Sequence, residues 1–129
     1  MGYMFSGVNT AIYDLLYSLG ITAKYTGFFY TSYAVYLAIQ QPERLLLITK
    51  WLYPEVAKQY GTTWYNVEKS IRFAAAVAWE LRQDKLADIA KFDLTRKPSN
   101  SQFISILVKH IQTTTETSEE AIPFMSQIS

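Results

Sequence analysis

A chain of 129 residues, half of them hydrophobic, is long enough for one core and too short for two ordinary domains. Cysteine is absent and His110 is the single histidine, which excludes disulfides, thiolate metal sites and a histidine-built metal centre, so no cofactor is expected. The net charge of +1 hides an asymmetry: all twelve Lys and Arg precede residue 113, so a body of +4 is followed by a tail of −3. That mildly positive body suits DNA without being the strongly basic signature of a nonspecific binder.

No cationic stretch leads into an uninterrupted apolar run at the N-terminus, so neither a secretory signal nor a membrane span is expected, and the cytoplasm is the simplest address. Taken along the chain, the apolar rhythm predicts an all-α protein with no convincing strand and no internal repeat. Residues 8–19 repeat apolar groups at Ile12, Leu15, Leu16 and Leu19, with Asn9 or Thr10 as a cap and Gly20 as the stop. A second helix spans 25–40. Its aromatics Tyr25, Phe28, Phe29, Tyr30, Tyr33 and Tyr36 are too crowded to fill one stripe. They read either as core rings with their hydroxyls in water or as a partner surface. Stacking on single strands is the weaker reading, because these rings are not interleaved with cations. Pro42 is expected to begin a third helix that runs to about Lys50.

Residues 53–81, YPEVAKQYGTTWYNVEKSIRFAAAVAWEL, read as a short helix, a glycine turn and a longer helix. Pro54 suits a first helical turn, where its missing N–H has no partner to lose, and Glu55 complements the positive end of the dipole. Ala57 is small enough for a second helix to cross closely. Gly61 supplies the left-handed conformation that ends the first helix, and Thr62 or Thr63 caps the next. Val67 falls where a helix-turn-helix needs an apolar plug. With residues about 100° apart, Trp64, Val67, Ile71, Ala74, Ala78 and Leu81 form the predicted core stripe. The opposite side carries Tyr65, Lys69, Arg72 and Ala76, flanked by Glu68 on one edge and by Asn66 and Phe73 on the other.

That exposed face is the candidate surface for double-stranded DNA. Arg72 and Lys69 suit phosphate or guanine edges, Asn66 suits adenine, and Glu68 accepts from cytosine. The same pattern also describes a solvated helix face with one acid and two cations. Lys58, Thr63 and Tyr65 are further candidates for phosphate, as is Lys50.

Beyond the second motif helix, Asp84 is placed to cap a short helix ending at Ala90, and residues 92–99 read as an irregular loop. Asn100 or Ser101 starts the last core helix, with Phe103, Ile104, Ile106, Leu107 and Ile111 as its buried set and His110 on its polar edge. The loop residues Arg96, Lys97, Ser99 and Asn100 bring two cations and small polar groups to a helix N-terminus, a second candidate phosphate site. An ordinary capping turn with exposed cations fits the same residues. From residue 113 the composition changes to Thr, Ser and Glu. The segment 113–129 reads as a mobile tail or as one that docks Ala121, Ile122, Phe124 and Met125 on the body or a second copy. No cysteine nucleophile, metal set or glycine-rich phosphate loop is present, so an enzyme is not expected.

Four segments carry a resemblance to a known family: LLYSLGITAKYTGFFY (15–30), ITKWLYPEVAKQYGTT (48–63), VEKSIRFAAAVAW (67–79) and KPSNSQFI (97–104). Over roughly residues 8–112 the chain resembles the DNA-binding effector domain of the stage-zero sporulation response regulator. The resemblance implies a compact bundle of about six helices, a winged-helix-like effector domain without a clear β wing, with residues 1–112 as the domain. It further implies a helix-turn-helix that binds a short promoter element, commonly as tandem dimers, with base and phosphate contacts falling on Asn66, Glu68, Lys69 and Arg72.

Two departures from the family stand out. Its members carry Arg where this chain has Asn66 and Lys69, and His where it has Phe73, and lysine lacks the planar fork that grips guanine in two places. They also carry a receiver domain ahead of the effector. This chain begins almost at its first helix, and as it stands it reads as an effector without an aspartyl-phosphate switch. Two functions are therefore expected in order of preference. The first is a sequence-specific DNA-binding transcriptional regulator, a homodimer on tandem half-sites. The second is a protein-interaction module of the same fold that pairs with a full-length regulator and modulates it.

Overall fold

Two glycines divide the chain where the sequence placed its stops, and both hold the left-handed backbone that a side chain would strain, with φ of 86° at Gly20 and 63° at Gly61. Gly20 closes helix α1 (Gly2–Ser18). Its N–H donates to Tyr17 O at 3.0 Å and that of Ile21 to Leu16 O at 2.9 Å, the paired bonds of a Schellman motif. Leu16 and Ile21 are both fully buried beside it. Gly61 ends a later helix in the same way, with Thr62 N–H donating to Ala57 O at 2.9 Å.

The computed structural model describes residues 2–128, with side chains described over residues 7–114. After α1 come α2 (Thr26–Gln40), α3 (Tyr53–Tyr60), α4 (Trp64–Leu81), α5 (Gln83–Ala90) and α6 (Asn100–Ile128). Among the described residues there is no strand, so the bundle is all-α and has no β wing. α2 and α4 form its centre: α2 packs against α1, α3, α4 and α6, and α4 against α2, α3, α5 and α6.

The helix predicted over 42–50 is not one helix. Pro42–Leu45 is a single 3-10 turn and Ile48–Leu52 a π turn, joined by an exposed Leu46-Leu47. The Arg44 guanidinium holds the two together, donating to Gln41 Oε1 at 2.8 Å and to Trp51 O at 2.7 Å. With little of this segment buried, no apolar stripe stabilises a continuous α-helix there.

Other boundaries also move. α1 begins at Gly2, so Asn9 and Thr10 lie inside it rather than at its N-terminus. Arg82, not Asp84, occupies the N-cap position of α5, and Asp84 sits in its first turn, where its charge faces the positive end of the dipole. α6 does start at Asn100, with Phe103, Ile104, Ile106, Leu107 and Ile111 all buried as predicted and Val108 added to them.

The aromatic crowd on α2 divides between core and surface. Phe28 and Tyr30 are core, Tyr25, Tyr33 and Tyr36 pack against it partly buried, and Phe29 is exposed. No described helix is long and apolar enough to cross a membrane. The expected docking of Ala121, Ile122, Phe124 and Met125 concerns side chains outside the described residues.

Candidate nucleic-acid interface

The predicted helix-turn-helix is α3, the Gly61 turn and α4. Pro54 lies in the first turn of α3, and Thr63 caps α4, its Oγ1 accepting from Asn66 N–H at 3.1 Å. Thr62 serves differently, its Oγ1 accepting from the Asn66 side-chain amide at 3.1 Å. Val67 is fully buried between the two helices, as the motif requires.

The core stripe of α4 holds in its middle and fails at both ends. Val67, Ile71, Ala74 and Ala78 are buried, joined by Ala75 and Val77. Trp64 and Leu81, expected in the core, are each about half exposed. The first and last turns of α4 project past their neighbours. Trp64 meets Tyr65 edge-on at 6.2 Å, and Leu81 lies over Gly20 with part of its surface still in water.

Lys69, Arg72, Asn66 and Tyr65 are all on the exposed face. They are organised within that face. The Arg72 guanidinium makes a two-pronged pair with Glu68, Nε to Oε2 at 3.1 Å and Nη2 to Oε1 at 3.2 Å, one helical turn apart. Lys69 Nζ lies over the Tyr65 ring at 5.5 Å, again one turn apart. The pairing with Glu68 holds Arg72 still more firmly in its charged form. Exposed pairs of this kind contribute little, so the guanidinium is held in place yet easily surrendered to a stronger anion.

The second candidate region meets the first. Asn100, at the start of α6, donates through Nδ2 to Tyr53 Oη at 2.9 Å and to Glu68 O at 3.0 Å, joining α3, α4 and α6 at one point. Burial pushes the Tyr53 hydroxyl above its ordinary pKa, with Glu68 adding to the rise and Asn100 and Arg72 opposing it. Ser99 is the N-cap of α6: its Oγ accepts from Gln102 N–H at 3.2 Å, and Gln102 Oε1 accepts from Ser99 N–H at 3.1 Å. That reciprocal pair is a capping box, legible in the spacing Ser99-x-x-Gln102. The Asn100 amide and the Ser99 hydroxyl are thus engaged in building the site. Arg96 and Lys97, beside them, are exposed.

Sequence reasoning passed over Lys24. It lies just ahead of α2, next to the N-cap Tyr25, its Nζ 5.5 Å from the Tyr25 ring, and shares a shallow groove of about 360 Å³ with Lys69, Gly27 and Phe73. Tyr25 in turn meets Phe73 edge-on at 5.6 Å. The signal was available in the run Lys24-Tyr25-Thr26-Gly27, a cation beside a glycine at a helix start. Lys58 on α3 and Lys50 in the π turn are exposed, with no salt bridge to either among the described residues.

A basic face on the second helix of a helix-turn-helix, flanked by a cationic loop, is an arrangement that suits duplex DNA. The comparison with known families points the same way. The family model described as sporulation initiation factor Spo0A C terminal matches residues 12–111, and the chain therefore belongs to that family of DNA-binding effector domains.

Proposed function

We propose that this protein is a sequence-specific transcriptional regulator that lays α4 in the major groove of its promoter element. Asn66, Glu68, Lys69 and Arg72 face base edges, and Lys58, Thr63, Tyr65, Lys24, Arg96 and Lys97 face phosphate, with Ser99 and Asn100 holding the 96–100 loop in position. The observation that carries this reading is the Asn100 link, which draws the loop and α4 to one side of the molecule. Glu68 and Arg72 act as a unit. When a guanine edge replaces Glu68 as the guanidinium's partner, the freed carboxylate is available to a cytosine amino group.

Binding as paired copies on tandem half-sites extends the same reading, and a full-length regulator of the family is the alternative partner. Fluorescence anisotropy with a duplex carrying the family's element and with a scrambled duplex tests the assignment. Arg72→Ala is expected to lose roughly 1–3 kcal/mol on the specific duplex and to blunt the preference between the two. Lys58→Ala is expected to weaken both duplexes alike and to lower the salt slope by about one. Equal and negligible binding of the wild type to both duplexes would instead favour the interaction module.

A further inference from the structure

Away from the helix-turn-helix, α5 and α6 enclose a groove of about 790 Å³. Ile89, Phe92 and Ile106 give it an apolar lining, and Lys91, Lys109 and His110 supply cationic and polar groups. Phe92 is half exposed, a large ring left facing water at the start of the 91–99 loop. Two of the lining side chains are lysines and none is an acid, and His110 is pushed below its ordinary pKa first by burial and then by Lys85 and Lys91, with Asp88 opposing. Such a surface suits an apolar segment that brings acids with it.

The chain contains one. Past Lys109 there is no cation, while Glu116, Glu119 and Glu120 precede apolar residues at 121, 124, 125 and 128. That is the i, i+3, i+4, i+7 spacing of one helical stripe. The backbone of α6 is helical to Ile128, so this segment continues about 20 Å along the α6 axis beyond Thr114, the last groove residue. Because α6 is itself a wall of the groove, its own extension leads away from it.

We infer that the α5–α6 groove receives the acidic segment 116–128 of a second copy of this chain, the two tails exchanged reciprocally about a two-fold axis. Exchange matches a tail of −3 to a body of +4 and covers Phe92 with apolar side chains. An isologous contact of this kind closes on itself, which limits assembly to a dimer. The family match ends at residue 111, short of the tail, and the inference does not depend on how α4 meets DNA.

The absence of cysteine makes the test direct. In the full chain carrying Phe92→Cys and Phe124→Cys, mild oxidation without DNA is expected to give a disulfide-linked dimer on a non-reducing gel. Wild-type protein is expected to sediment as a concentration-dependent dimer. Phe92→Asp and Phe124→Asp should each weaken that association by roughly tenfold or more, with circular dichroism unchanged. Mixing the two Asp variants restores one intact groove facing one intact tail, and so a heterodimer. A disulfide within one chain, a monomer with no cross-link, or a dimer indifferent to both Asp variants would overturn the inference.

Discussion

Phe103→Ala is expected to cost about 4 kcal/mol, the range for truncating a fully buried phenylalanine. Phe103 is the largest fully buried side chain among the described residues and stands in the first turn of α6. Its removal forfeits the transfer free energy of the ring and leaves a cavity at the point where α6 meets the body. Chemical denaturation should show the loss directly, and a thermal scan should show a fall in Tm of roughly 10–20 °C. Domains of this size are stabilised by about 5–15 kcal/mol in total, so the variant loses from about a quarter to most of its stability at room temperature. The consequence reaches the candidate interface, because Asn100 and Ser99 lie within one turn of Phe103. A shift of the α6 N-terminus loosens both the Tyr53–Asn100–Glu68 link and the loop carrying Arg96 and Lys97.

Gly27→Val is expected to cost about 3 kcal/mol, the upper part of the usual range for overpacking. Gly27 has ordinary helical φ, so its backbone does not require glycine. Space does. A Cβ there would run into Ser70 O and sit 3.2 Å from Ala74 Cβ, inside the crossing of α2 over α4. Because the nearest atom is a backbone carbonyl, no rotamer change relieves the clash, and α4 must move. Helix propensity favours any such substitution by less than about 1 kcal/mol, too little to offset it. Gly7→Ala makes the contrast, since nothing lies within 4 Å of a Cβ there. It should be neutral or slightly stabilising in the same denaturation series. Loss of duplex affinity in Gly27→Val beyond the loss of folded protein would show that the crossing sets the position of α4.

The helix-turn-helix was legible because its signals are local. Gly61, the Thr63 cap, Pro54 and the Val67 plug each follow from neighbours a few residues away. The resemblance of the quoted segments reached the family before any coordinates did. Periodicity placed the middle of α4 correctly and misplaced Trp64 and Leu81, because whether a terminal turn is covered depends on the lengths of the helices beside it. Pro42 suggested the start of a helix at 42–50, yet Leu46 and Leu47 are exposed and no stripe forms.

Within the candidate site, the residue types were readable and their couplings only partly so. The Glu68 and Arg72 spacing of four residues was open to inspection as an ion pair, whereas each was assigned a separate base. Asn100 was placed among phosphate contacts. Its partner Tyr53 lies 47 residues away in sequence, and no local pattern reports such a bond.

The claim on which the functional account rests is that the exposed side of α4 is the surface that meets DNA. Amide chemical-shift mapping during titration with the family's duplex tests it most directly. The account predicts perturbations at Asn66, Lys69 and Arg72 and across residues 96–100, with the Ile89, Phe92 and Ile106 groove unmoved. Perturbations confined to the groove, or a spectrum unchanged at saturating duplex, would contradict it.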